Sequence, residues 1–486
     1  MSLKSLQSIL QQNLTPSTWA EENEVYGSKV AKFRRYQDGN HDAQMTAEMR
    51  NALRVASGQQ NAPFNSNQMD DVITTMSDRL TVDRITGDTD PANEWSKEVL
   101  DFNRFDGLQM DVHESTVRDG RGYVLVEFDK TEDMPIVCHE MAWDGSNGML
   151  VVYESNDKHI VAVAIKVWCE SKAAYGDTVR ANVYYPERIE RWISEADKFI
   201  PYMDEEYPIW PFPWTMTGKA GGEPLGIPVI EFRNGSRGMS ELQNATPLQD
   251  ALNRTLHSMV MTGELSAFPV MVATGFQAPA AVTPGMIVSI GTDGIPADQT
   301  PPTLVRIPGS DLTQYIDMAN FFIGRIEAVT RTPNMQTNSN LSGEAMKQSE
   351  IKLIGKVKRA QVTMGNAWED VMAMCARVQK AYGTKSPPES KHWKTEWADA
   401  EIRNDKDVVT NAMLVSGIMG DEQTLRNLAG VYQLDEDEIQ TILKTKRAAG
   451  LERLQSLQTQ VNPFGGLPRQ LVSGINQQMM SNGVSR

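Results

Sequence analysis

Residues 310–382 decide the fold: SDLTQYIDMANFFIGRIEAVTRTPNMQTNSNLSGEAMKQSEIKLIGKVKRAQVTMGNAWEDVMAMCARVQKAY. The stretch reads as a helix, a polar break and a longer helix. Ser310 and Asp311 suit N-cap positions, because their side-chain oxygens accept the unpaired backbone N–H groups of a first turn. Leu312, Ile316, Ala319, Phe322, Ile323, Ile326 and Val329 recur at steps of three and four, the spacing of one helical face. Thr332-Pro333 stops this helix, since the residue before a proline is pushed out of the helical region. Asn334-Met335-Gln336-Thr337-Asn338-Ser339-Asn340 then follows, polar and uncharged. Ser342, with Glu344 in the first turn, restarts a helix and suits the positive end of its dipole.

The second helix carries an apolar stripe of Met346, Leu353, Val357, Ala360, Met364, Trp368, Val371, Cys375, Val378 and Tyr382. Lys347, Lys352, Lys356, Lys358 and Arg359 fall largely off it. At the helical rise the rod is on the order of 60 Å long, far beyond the usual three turns, with Gly355 and Gly365 as candidate bend points. Paired rods of this size around a polar loop usually serve an assembly. An ordinary helical hairpin inside a core fits the same stretch.

Working back toward the N-terminus, residues 266–308 turn to short strands at Val270–Val272, Met286–Val288 and Leu304–Arg306, with Pro and Gly between them. Before them Ser240-Glu241-Leu242-Gln243 reads as a capping box, and Leu242, Ala245, Leu248, Leu252, Leu256 and Met259 as the buried face of a helix. Ile227–Phe232 is a short strand, and 201–226 an irregular Pro-, Gly- and Trp-rich connection. Tyr123–Phe128, Met149–Tyr153, Ile160–Trp168 and Thr178–Tyr185 alternate with period two and predict an antiparallel sheet. Helices are expected from Pro16 to Tyr36, Thr46 to Ala56, Ser66 to Leu80, Trp95 to Phe105 and Met110 to Val117.

Beyond Tyr382, Lys385-Ser386-Pro387-Pro388 breaks the chain before a strand-like Trp393–Ile402. Helices are expected near 405–416, 422–429 and 436–448, with Gly417 and Gly430 as caps and Asp435–Glu438 at a helix start. From Val461 the composition is that of a flexible tail. The whole reads as an α+β protein, mostly helical.

The 486 residues leave room for several domains and ample core. A net charge of −16 argues against a protein built to grip nucleic acid, because grip comes from Lys and Arg neutralising phosphates. It is compatible with a surface that DNA merely passes. Cys138, Cys169 and Cys375 show no paired spacing, which implies a reducing compartment without a disulfide framework. No run approaches the ~18 apolar residues of a membrane helix, and Met1–Leu14 is too polar for a signal peptide, so a soluble cytoplasmic product is expected.

Chemistry is sparse. No phosphate-cradling Gly-x-x-x-x-Gly-Lys-Ser/Thr motif, His-Glu-x-x-His or Gly-x-Ser-x-Gly occurs. Cys138-His139-Glu140 is the one tight cluster of metal-ligand types, but neighbours on a strand point to opposite faces, so His139 reads as structural. Glu205-Glu206 and Asp435–Glu438 read as solvated faces. No enzyme, metal or cofactor is expected. Three classes remain: an assembly protein, a non-viral helical scaffold or adaptor, and a hydrolase with a scattered site.

The order of several loose motifs resembles the portal proteins of tailed bacteriophages, from about Trp19 to Arg453. Phe33-Arg34-Arg35-Tyr36-Gln37-Asp38-Gly39 is similar to that family's aromatic-Gly segment, and Asn67-x4-Val72-Ile73-x2-Met76-x2-Arg79-Leu80-x-Val82 to the helix after it. Val117-Arg118-Asp119-Gly120-Arg121-Gly122-Tyr123-Val124 resembles the glycine turn into the wing sheet. Ile227–Asn234 with Leu242–Leu256 looks like the strand and first stem helix. Thr332-Pro333, the Asn-rich loop and Ser342–Lys347 look like the tunnel loop and the start of the long wing helix. Glu344 stands where the family usually has a small apolar residue.

The resemblance implies a portal fold with an antiparallel wing sheet, long stem and wing helices, a small β-rich clip and a helical crown. It places the wing at 1–239, stem helices at 240–265 and 310–331, the clip at 266–309 and a tunnel loop at 332–342. The long wing helix and return strand take 343–402, the crown 403–456 and a flexible tail 457–486. It further implies a homo-oligomeric ring, commonly of twelve, at one capsid vertex of the virion, assembled in the host cytoplasm. Double-stranded DNA would pass through it without sequence specificity. Its partners would be the terminase motor, major capsid and scaffolding proteins and a head-tail adaptor, with no membrane. On this view Asn334, Gln336, Thr337, Asn338, Ser339 and Asn340 face DNA with neutral hydrogen-bonding groups that touch and release. Each lysine there would add a salt-sensitive attraction. A polar loop is also what a solvated backbone requires. Lys347, Lys352, Lys356 and Arg359 would face either the channel or acidic groups of a neighbouring subunit.

Overall fold

The computed structural model describes residues 7, 19–42, 66–154, 160–172, 176–195, 198–205, 208–267, 271–274, 303–306, 311–333, 343–400, 425–426 and 439–446. Helix α1 (Trp19–Gln37) buries Trp19, Val30, Phe33 and Tyr36. Arg34 on this helix reaches the fully buried Asp119 at 2.8 Å, Asp144 at 2.9 Å and the Ala142 carbonyl at 2.7 Å. Helix α2 (Met69–Ser77) buries Met69, Val72, Ile73 and Met76. It stops short of the Leu80–Val82 end expected from the motif. Val82 instead opens strand β1 (Val82–Thr86), where its N–H donates to the Gln109 side chain at 2.7 Å.

Helix α3 (Asp90–Phe102) is capped by Thr89, whose hydroxyl accepts the Ala92 N–H, with Pro91 in the first turn. Arg104, at φ 49°, breaks it from α4 (Phe105–Asp119). Gly120 then turns the chain at φ 85°, and a Cβ there would sit 2.6 Å from the Gly238 carbonyl oxygen, so the turn requires glycine.

The expected single sheet is two. In the first, β2 (Arg121–Asp129) lies between β3 (Met134–Glu140) and β10 (Val229–Arg233), all antiparallel. Five successive residues, Gly122–Val126, are buried, which requires cover on both faces of β2. In the second, β4 (Gly148–Tyr153), β5 (Val161–Lys172), β6 (Gly176–Tyr184), β7 (Arg188–Glu195) and β8 (Lys198–Pro201) follow in order, with β9 (Phe212–Pro213) paired to β7. Its inner face packs Leu150, Val152, Val163, Ile165, Val167, Ala181 and Val183 against Trp19, Trp143 and Phe199.

Helix α5 (Thr246–Ala267) starts six residues after Ser240, the expected N-cap. Ser240 caps a turn there, accepting the Leu242 N–H at 3.0 Å, and the helix waits for Pro247, which has no N–H to leave unpaired. Strands β11 (Met271–Thr274) and β12 (Thr303–Arg306), at the first and third strands expected in this segment, pair antiparallel. Met286–Val288 lies outside the described residues, as do Thr46–Ala56 and 334–342.

Helix α6 (Thr313–Thr330) follows Asp311, whose carboxylate accepts the Thr313 N–H at 2.9 Å. Arg331, at φ 62°, ends it two residues before Pro333. Helix α7 (Gly343–Tyr382) is continuous over 40 residues. Leu353, Val357, Ala360, Met364, Trp368, Val371, Cys375 and Val378 are all buried, as its stripe predicts. Gly365 serves packing: a Cβ there would lie 3.1 Å from the Trp397 indole nitrogen. Strand β13 (Lys394–Trp397) pairs antiparallel with β1. All three cysteines are free. The chain forms two units, 1–400 and 401–486; in the second, 425–426 and 439–446 are helical.

Candidate functional site

Pro333, the last described residue ahead of the polar loop, lies at the root of a helical hairpin. α5 and α6 lie side by side: the Thr262 hydroxyl donates to the Tyr315 hydroxyl at 3.2 Å, and Gly263 faces Leu312. Their other ends meet through a single side chain. Lys356 of α7 donates from Nζ to Glu241, just ahead of α5, at 3.0 Å and to the Thr330 carbonyl, the last of α6, at 2.5 Å. The two helices are therefore antiparallel, with their root fastened to α7.

The joint is secured from several directions. Asn234 donates to Glu241 at 2.9 Å and to the Met239 carbonyl at 2.8 Å, and the Glu241 N–H reaches the Val117 carbonyl. Thr363 donates to the Arg233 carbonyl at 3.1 Å, tying α7 to β10. The Lys356 and Glu241 side chains are 13% and 17% exposed, enough cover to strengthen their attraction and make its loss costly. Burial pushes the Lys356 amine below its usual range, while Glu241 favours the charged form. An ammonium on a C-terminal carbonyl also suits the negative end of the α6 dipole.

The candidate cations thus separate. Lys356 is held within its own chain. Lys352 and Arg359, about one turn before and one turn after it along α7, stand exposed, and among the described residues neither has a carboxylate within ion-pair distance. Lys347 lies on α7, but its side chain is outside the described residues. Asn334, Gln336, Thr337, Asn338, Ser339 and Asn340 lie outside them too. Sequence reasoning missed Glu241 and the Thr330 carbonyl as partners of Lys356. Glu241 is 115 residues away in the chain, beyond the reach of any local pattern.

The hairpin also differs from the expected apolar face. Ala319 and Ile326 are buried on α6, but Ile316 and Val329, assigned to the same face, are exposed along with Met318 and Phe321. A lone hairpin has one covering partner, α5, so a broad apolar surface remains outside it.

Cys138-His139-Glu140 divides as strand geometry requires. His139 faces α4, with Ser115 Oγ 2.8 Å from its Nε2, and burial lowers its pKa. Glu140 pairs instead with Lys166. Among the described residues no three His, Cys, Asp or Glu side chains gather as a metal-binding group, and no helix is long and apolar enough to cross a membrane. The site is a mechanical joint between a hairpin with exposed apolar residues and a long rod.

Comparison with known proteins supports a family assignment. The family described as Phage portal protein, SPP1 Gp6-like, matches residues 21–450. The portal protein of Mycobacterium phage D29 is 21% identical over 342 residues, covering 64% of this chain and 64% of that protein. The chain thus matches somewhat under two thirds of that relative's length.

Proposed function

The chain belongs to the SPP1 Gp6-like phage portal family, and from that membership we propose that it forms a ring at one vertex of a phage capsid. The ring, of about twelve copies as the family resemblance implies, is the channel for double-stranded DNA during packaging and ejection. The terminase motor docks to it first and head-tail adaptors later, with major capsid and scaffolding proteins around it. Its place is the virion, after assembly in the host cytoplasm, and its role is structural rather than enzymatic.

The observation that carries this reading is the α5–α6 hairpin. It presents Met318, Phe321 and Val329 to solvent in a chain whose long helix buries its own stripe completely from Leu353 to Val378. Apolar surface of that kind marks an interaction site. On this reading the hairpin is the stem, with the clip between its helices at 266–309 and the tunnel loop at 332–342. The wing comprises 1–239 and 343–402, and the crown 403–456.

The loop Asn334–Asn340 would meet DNA without braking it, since it adds no phosphate-binding cation. Mass measurement and electron microscopy of the purified chain should show closed rings with a central hole; compact monomers would refute the ring. Asn338→Lys with Asn340→Lys should leave rings intact and slow packaging in a motor assay. Unchanged packaging kinetics would remove this loop from the DNA path.

A further inference from the structure

The geometry points to a specific contact between copies: the basic, aliphatic outer stripe of α7 docks on the acidic, apolar surface of α3 and α4 of a second copy. It rests on the ring reading and adds which faces meet.

The stripe consists of Ile351, Lys352, Gly355, Arg359 and Val362, which fall within about a third of a turn on a helix of 3.6 residues per turn. All five are exposed, Ile351 by 63% and Val362 by 64%. Between the two aliphatic side chains Gly355 leaves a notch, with nothing within 4 Å of where its Cβ would be. The inner side of the same helix is fully engaged with the body. The outer stripe is therefore a free face of a rigid element. It offers two apolar anchors, a recess and two cations.

The complementary face lies in the same chain. Where α3 gives way to α4, Phe102 is 38% exposed and Met110 is 65% exposed. Glu98 precedes Phe102 and Asp106 precedes Met110 by one helical turn, and their carboxylates, with those of the adjoining Asp101 and Asp111, are exposed. Asp101, Asp106 and Asp111 have no cation within ion-pair distance among the described residues. Lys97 and Arg104 share this surface but leave it net acidic.

Two different faces that complement each other make a heterologous contact, the kind that closes a ring when repeated. Nucleic acid fits the stripe less well. Phosphate would take Lys352 and Arg359 but would leave Ile351 and Val362 against water or charge, whereas Phe102 and Met110 offer them apolar cover.

The test is charge exchange in the full chain, read by mass photometry with thermal melting as a fold control. Lys352→Glu with Arg359→Glu should raise the dissociation constant of the assembly at least tenfold. Asp101→Lys with Asp111→Lys should do the same. The four changes together should recover at least part of the loss, because the exchanged charges again oppose one another. If either pair leaves assembly unchanged, or the combination recovers nothing, the contact is wrong while the wild-type ring stands. A wild type that never assembles removes the ring reading and this contact with it. Rings that persist in Lys352→Glu/Arg359→Glu but lose salt-sensitive binding to a 30-base-pair duplex would assign the stripe to DNA and overturn the contact.

Discussion

Helices α6 and α7 carry apolar residues at the same steps of three and four, yet the outcomes differ. From Leu353 to Val378 the α7 stripe disappears into the body, against β2, β3, β10 and β13. Along α6 the buried apolar residues are Ala319 and Ile326 alone, and Phe321 stays 60% exposed. Periodicity states that a helix has an apolar face. It does not state what covers that face, or whether the cover belongs to the same chain. In a body element the stripe contributes to the chain's own stability, and in the hairpin much of it lies outside the chain's own core.

The sharpest break of that contrast is Trp368→Ala. The Trp368 ring lies edge-on to Phe105 at 4.9 Å and to Phe232 at 4.8 Å, and its N–H donates to His113 at 2.9 Å. Removing it leaves a cavity where two helices and a sheet converge. We expect a loss of about 4 kcal/mol of stability in urea denaturation. A loss under about 1 kcal/mol would mean that α7 is not the body's central element.

Next in size is Lys356→Met. It keeps the length of the side chain but leaves the largely covered Glu241 unpaired beside a helix terminus. We expect about 3 kcal/mol of destabilisation. Hydrogen exchange should show the increase concentrated in 325–333 and 240–250, the two sides of the joint. An increase spread evenly over the β2 sheet would show that Lys356 supports the core rather than the hairpin root.

The third prediction concerns acid. His113 is fully buried, with Nδ1 2.6 Å from the Leu80 carbonyl and Nε2 accepting the Trp368 N–H. A carbonyl accepts only, so the ring carries its proton on Nδ1 and is neutral. Burial pushes its pKa down to about 4. The unfolded chain therefore binds the proton first, near pH 6.5, and stability is full above that value and declines as pH falls toward 4. Between pH 7 and pH 5 the decline from this residue is about 2 kcal/mol. Burial lowers His41 and His139 in the same direction, so they add to it. Urea midpoints at the two pH values should differ accordingly, and His113→Gln should flatten the dependence. A pH-independent midpoint would place His113 in contact with water.

What the sequence made legible follows the same division. The α7 stripe, the stop before Pro333, the glycine turn at 120 and the outer two strands of the 266–309 segment could be read locally, because each depends on neighbours a few residues away. The start of α5 was misplaced because Ser240-Glu241-Leu242-Gln243 supplies the same donors and acceptors to a turn as to a helix. The β1–β13 pair could not be read: Arg84 and Glu396, which meet at 2.7 Å, are 312 residues apart. For the candidate site, spacing placed Lys352, Lys356 and Arg359 off the stripe but did not divide them. Only the fold shows that the middle one turns inward to a carboxylate and a helix end, while the other two remain outside.

The smallest effect on the single chain belongs to Phe321→Ser, and its smallness is the point. Phe321 has one aromatic neighbour among the described residues, Phe322, with ring centroids 5.6 Å apart, and 60% of its surface meets solvent. Its removal takes little apolar area out of contact with the chain. Stability of the dissociated protein should change by no more than about 0.5 kcal/mol. On the proposed ring reading the same substitution should weaken assembly severalfold in mass photometry, because it removes an apolar group from the exposed face of the hairpin. If the dissociated variant melts well below wild type, Phe321 belongs to its own chain's core, and α6 and α7 would then use their stripes in the same way.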